Sequence, residues 1–172
     1  MPKKNPFDQN DFESGDVVFF TTKTLVGSAI RFAQRRDGEK NWRLNHVGVL
    51  SDFTMKGWKV IQAESRGVTD DKYLNDVAPG GAFIVKPCPS NVNREKMMEF
   101  LRSHVGDEYS WLTDVSCAFD MILPDAIDLR RSGTFNCSGL VSLAMLYGGS
   151  PALVKVPDIY TVTPARLSAL AW

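Results

Sequence analysis

Between Asn136 and the glycine pair Gly148-Gly149 lies the stretch that most constrains this chain. Leu140, Val141, Leu143, Ala144 and Tyr147 recur at helical spacing, and the glycines are a natural stop. So apolar a helix has to be buried, so the rest of the chain must be arranged around it. Asn136 can cap it, which puts Cys137 in the first turn. There the backbone N–H groups and the positive end of the helix dipole favour a thiolate over a thiol. Position alone does not make a nucleophile, because free cysteine is also among the most buried residue types. The remaining sequence has to supply the partners of such a group.

Two further stretches do so. Asn45-His46-Val47-Gly48-Val49-Leu50 carries one of two histidines, and Val60-Ile61-Gln62-Ala63-Glu64 carries an acid at a strand end. A turn around Lys56-Gly57 brings Trp58 to Glu64 back along the His46 strand, so His46 and Glu64 are expected on neighbouring antiparallel strands. Side chains alternate with period two, which sets Gln62 on the same side as Glu64. A thiol attacks an amide or ester carbonyl as thiolate and needs a base beside it. Histidine suits that role when a third polar group accepts its other N–H. Cys137 as nucleophile, His46 as base and Glu64 as orienting acceptor meet the requirement, with Gln62 as the alternative to Glu64. The oxyanion is assigned to the backbone N–H of Cys137 and one further donor.

Composition narrows the partners. Twenty acidic residues balance twenty basic ones among 172, which gives no global attraction for nucleic acid or an anionic membrane but excludes neither a local patch nor a lipid-contacting loop. The basic residues Arg31, Arg35 and Arg36 suit the end of a helix over Leu25 to Arg35. Cys88, Cys117 and Cys137 are odd in number and widely spaced, which fits neither a disulfide framework nor a zinc site. No metal or organic cofactor is called for. No apolar run reaches the length of a membrane span, and the polar start resembles no secretory signal. The expectation is synthesis as a soluble cytoplasmic protein, with delivery to a cell wall by injection or lysis as the route outward.

Residues 1–13 read as a flexible lead-in and 14–172 as one α+β domain. Strands are expected at Val17 to Phe20, at His46, at Trp58 to Glu64 and at Ala82 to Lys86. Helices are expected at Leu25 to Arg35, Asn93 to His104, Cys137 to Tyr147 and, capped by Thr163 before Pro164, near the end. The segment from Tyr109 to Ile122 favours helix, and the stretch around Tyr73-Leu74 matches neither pattern. His104 reads as a cap, Cys88 and Cys117 as structural, and Asp16 as a brace.

Asn136-Cys137-Ser138-Gly139-Leu140-Val141 resembles the nucleophile motif of NlpC-type cell-wall cysteine peptidases, a papain-like superfamily. Gly15-Asp16-Val17-Val18-Phe19-Phe20 and His46-Val47-Gly48-Val49 are similar to its two strand motifs. Here the cysteine helix comes last, an order that resembles the circularly permuted branch with the YiiX-like proteins and the lecithin-retinol acyltransferase relatives. The resemblance implies a permuted papain-like fold with an antiparallel sheet or small barrel, a glutamate in the third catalytic place, here Glu64, and a role near the nucleophile for Tyr109 in Gly106-x-x-Tyr109-x-Trp111. Asn136 stands where Asp is frequent and keeps the capping role. The implied activity is hydrolysis of a peptide bond in bacterial peptidoglycan. The alternatives are a hydrolase or acyltransferase of lipid esters or amides, and a binding module that has lost catalysis.

Overall fold

A computed structural model describes residues 11–79, 83–108, 136–156 and 158–170. Tyr109, Cys117 and the segment around them lie outside the described residues, as do residues 1–10 of the lead-in. The fold is α+β, built on a five-stranded antiparallel sheet. In chain order the strands are β1 (Val17–Phe20), β2 (His46–Thr54), β3 (Gly57–Glu64), β4 (Gly67–Tyr73) and β5 (Phe83–Lys86). Their order across the sheet is β4-β3-β2-β1-β5, with β4 and β5 at the edges.

β1 forms a central strand because it is β-branched and aromatic throughout and buried on both faces. Alternation sends Val17 and Phe19 to one face and Val18 and Phe20 to the other. On the first face they join Val47, Val49, Ile61 and Ala63 under the helices. On the second they meet Leu50, Trp58, Val60 and Leu74.

The helices are α1 (Leu25–Arg36), α2 (Leu74–Val77), α3 (Arg94–Ser103), α4 (Cys137–Tyr147), α5 (Pro151–Val154) and α6 (Pro164–Ala169), with a 3₁₀ turn at Ile159–Thr161. α4 packs on β2 and β3 and against α3. Leu140, Val141 and Ala144 are fully buried beside Met97 and Leu101 of α3. Each such leucine contributes about 1.5–3 kcal/mol by leaving water, which accounts for a helix held by packing. Asn136 Oδ1 accepts the Gly139 N–H at 2.6 Å, and Gly149, at φ 91°, turns the chain away after the last helical turn.

β4 and α2 had no counterpart in the sequence pattern. Residues Gly67–Tyr73 read GVTDDKY, and only Gly67 and Val68 are buried. An edge strand with a solvated face carries little apolar alternation. Asp16 is a brace: its carboxylate accepts the Glu13 N–H at 2.9 Å and the Cys88 N–H at 3.1 Å, and it pairs with Arg94 at 3.2 Å. Of the lead-in, Phe12 packs against the second core face and Glu13 pairs with Arg94 at 3.1 Å.

Candidate active site

A cleft of about 720 Å³ opens where the first turn of α4 meets the start of β2. Cys137, His46 and Gln62 all line it, so three groups from distant parts of the chain converge. Each position has a local cause. Cys137 follows the Asn136 cap and is 2 % exposed. His46 opens β2, paired with Phe20 of β1, and its ring leans on the Phe20 ring at 4.9 Å between centroids. Gln62, buried on β3, crosses to His46 over Gly48. A Cβ on Gly48 would sit 3.3 Å from Gln62 Cβ and 2.6 Å from Val60 Cγ1, so the bare glycine makes the space.

His46 Nε2 donates to Gln62 Oε1 at 3.0 Å. That bond places the proton on Nε2 and leaves Nδ1 as the basic nitrogen. Burial pushes the imidazole down to about 4; the Gln62 bond and the Glu64 charge oppose this, and the Lys72 charge adds to it. The ring is therefore neutral at ordinary pH.

The expected role of Glu64 as the acceptor that orients His46 is corrected by this geometry. Glu64 Oε2 accepts from Lys72 Nζ at 2.5 Å, and Oε1 accepts from Arg66 Nη2 at 2.8 Å. Thr69 adds a weak contact at 3.4 Å. Burial pushes the Glu64 carboxyl up, but hydrogen bonds and charges from Lys72 and Arg66 outweigh it and hold the group below its ordinary value. Lys72 and Thr69 both belong to β4. The strand missing from the sequence reading is what draws the carboxylate away, and Gln62 takes its place.

Asn45, which the motif reading passed over, fastens the other wall. Its Oδ1 accepts the Thr22 N–H at 2.7 Å, and its Nδ2 donates to Thr22 O at 3.0 Å and Gly27 O at 2.7 Å. Thr24 caps α1 by accepting the Gly27 N–H at 3.0 Å. Together they dock the start of α1 beside the residue that precedes His46. Leu25, Val26 and Ile30 of α1 give the cleft an apolar lining, which it has together with Glu64, Lys72 and Asp76. The signal for Asn45 is its place directly before His46, where β2 begins. His104 lies away from the cleft, stacked on Phe100 at 4.1 Å, and Cys88 is a buried thiol whose pKa burial raises. Among the described residues no helix is long and apolar enough to cross a membrane.

With this geometry in view, known proteins offer one kind of match. No family model matches the sequence, and no curated protein matches it either. Among solved structures, that of metalloprotein YiiX from Escherichia coli O157:H7 superposes with a TM-score of 0.53 at 18 % identity, over 80 % of this chain. The two chains share a fold. The likeness spans 66 % of the YiiX chain. The name of that neighbour raises the question of a metal. Among the described residues no three His, Cys, Asp or Glu side chains are grouped to hold one. His46 Nε2 is taken by Gln62, and both Glu64 oxygens are taken by cationic side chains, so these described donor atoms are already committed within the fold.

Proposed function

We propose that the protein is a cysteine hydrolase that cleaves an amide bond through Cys137 and His46, with Gln62 orienting the histidine. The observation that carries this reading is the shared cleft: a thiol at a capped helix start and a neutral imidazole whose far nitrogen is already committed to an amide oxygen.

His46 Nδ1 takes the Cys137 thiol proton, and Sγ bonds to the substrate carbonyl carbon. The negative oxygen forms at the N-terminal end of α4, where the backbone dipoles favour it. The C–N bond breaks as His46 returns the proton to the leaving amine, which leaves a thioester on Cys137. Water then gives a proton to His46 and its oxygen to the acyl carbon. The carbon–sulfur bond breaks, the thiol recovers the proton and a carboxylic acid departs. A base that is neutral down to about pH 4 is available throughout the physiological range.

The substrate class suggested by the motif resemblance is a peptide bond of peptidoglycan. The apolar wall of Leu25, Val26 and Ile30 favours a second reading, in which the acyl group is a lipid ester or amide. One experiment tests both. Purified peptidoglycan and a panel of acyl lipids are incubated with wild type and with Cys137→Ala, and the products are weighed by mass spectrometry. New peptide termini with wild type alone support the first substrate, and free fatty acid supports the second. Identical products from the two proteins on every substrate would refute the hydrolase.

A further inference from the structure

This neutral chain carries a local excess of basic charge. Residues 23–43 carry Lys23, Arg31, Arg35, Arg36, Lys40 and Arg43 against Asp37 and Glu39, while the whole chain balances 20 against 20. Arg31 is spent inside the fold, donating to Thr22 O at 2.6 Å. Lys23, Arg35, Lys40 and Arg43 are exposed and enter no ion pair among the described residues. Glu39 is turned the other way, onto Arg166 at 3.2 Å.

Apolar groups stand in the middle of this charge. On α1, Leu25, Ala29 and Phe32 fall on one helical face at spacings of four and three, and none is covered: Leu25 is 92 % exposed and Phe32 63 %. Trp42 lies close by, between the guanidinium groups of Arg35 and Arg43 at 5.3 and 5.2 Å from its ring. A helix that shows leucine and phenylalanine to solvent within a cluster of lysine and arginine has the composition of an interfacial segment, where the rings and aliphatic groups enter the headgroup region and the cations meet lipid phosphates. A nucleic acid would use the cations and leave Leu25 and Phe32 wet.

We propose that the exposed face of α1, with Trp42, is a docking surface for an anionic lipid bilayer. Leu25 belongs both to this face and to the cleft wall, so docking sets the cleft mouth at the membrane surface. The inference rests on charge and exposure and does not depend on the thiol chemistry.

The test is flotation of the full chain with vesicles. In low salt the protein is expected to rise with vesicles of mixed phosphatidylglycerol and phosphatidylcholine, to stay behind with pure phosphatidylcholine, and to dissociate as salt is added. Arg35→Glu with Arg43→Glu is expected to weaken binding at least tenfold, taking about fivefold for each basic residue removed. Phe32→Ser, with the charges intact, is expected to weaken it by roughly tenfold. A second readout is independent of affinity: Phe32→Cys carrying an environment-sensitive fluorophore shifts to the blue on the same vesicles. Absence of anionic-vesicle binding, equal binding by both variants and wild type, an unshifted label, or capture of duplex DNA in place of vesicles would each overturn the proposal.

Discussion

Gln62 and Glu64 sit two residues apart on β3, line the same cleft, and do opposite things. The amide is buried and bonded to a neutral imidazole. The carboxylate lies at the rim between two cations. A carboxylate beside a buried histidine would favour imidazolium by its full charge, whereas the amide oxygen fixes the ring and favours imidazolium only through a hydrogen bond that burial outweighs. Where the cations are decides where the carboxylate goes, and β4 supplies Lys72 on the far side.

The comparison is open to attack from its strongest consequence downward. Replacing the base is the largest: His46→Ala is expected to lower kcat/KM by at least a thousandfold, about 4 kcal/mol, on whichever acyl substrate Cys137 cleaves. A loss below tenfold would remove His46 from the mechanism.

Next is acid stability. The folded-state pKa of His46, about 4, lies below its ordinary 6.5. As pH falls the unfolded chain takes the proton first. The stabilisation is thus fully present above pH 6.5 and is lost progressively down to about pH 4, beyond which it changes no further. The shift corresponds to about 3 kcal/mol. Denaturant melts at stepped pH should show this loss in wild type and a shallower one in His46→Gln, which removes the titrating ring. Parallel curves would mean that the imidazole is solvated.

The third attack is on the amide. Gln62→Ala should cost roughly tenfold to a hundredfold in kcat/KM by freeing the ring. Gln62→Glu should retain more activity and move the acid limb of the pH profile upward from near 4, because a neighbouring carboxylate stabilises imidazolium. An unmoved limb would break the link between this residue and the base. The smallest effect is expected at the rim. Glu64→Gln removes two partly exposed ion pairs, with Lys72 and with Arg66, so stability should fall by about 1 kcal/mol and activity by no more than about twofold. If Glu64→Gln instead matched His46→Ala, the carboxylate would be the third catalytic group after all.

Alkylation sharpens the contrast between thiols. Iodoacetamide should label Cys137 well ahead of Cys88, whose thiol burial pushes up, and His46→Ala should slow Cys137 to the Cys88 rate.

Much of this was written in local pattern. The buried helix with its Asn136 cap and glycine stop, the strands at β1, β2 and β3, and the neighbourhood of His46 and Gln62 follow from periodicity, turn residues and alternation, which depend on residues close in sequence. The boundary of α3 at Asn93 and the cap of α6 at Thr163 follow for the same reason: each side chain accepts a backbone N–H three residues on, at 3.0 Å.

What sequence could not settle was which of two like-facing side chains His46 would choose. Period two places Gln62 and Glu64 on one face and makes them equivalent. Their difference comes from β4, whose polar GVTDDKY carries no periodic signal and which becomes a strand by pairing with β3. Asn45 is similar, since its partners at Thr22 and Gly27 are brought to it by the return of β2 alongside β1. The sequence by itself determined β1, β2, β3, β5, the longer helices and the chemical inventory, because helix and strand periods are local. Tertiary structure alone decided the hydrogen-bond partner of His46, because a hydrogen bond and an ion pair are won by whichever groups the sheet brings within about 3 Å.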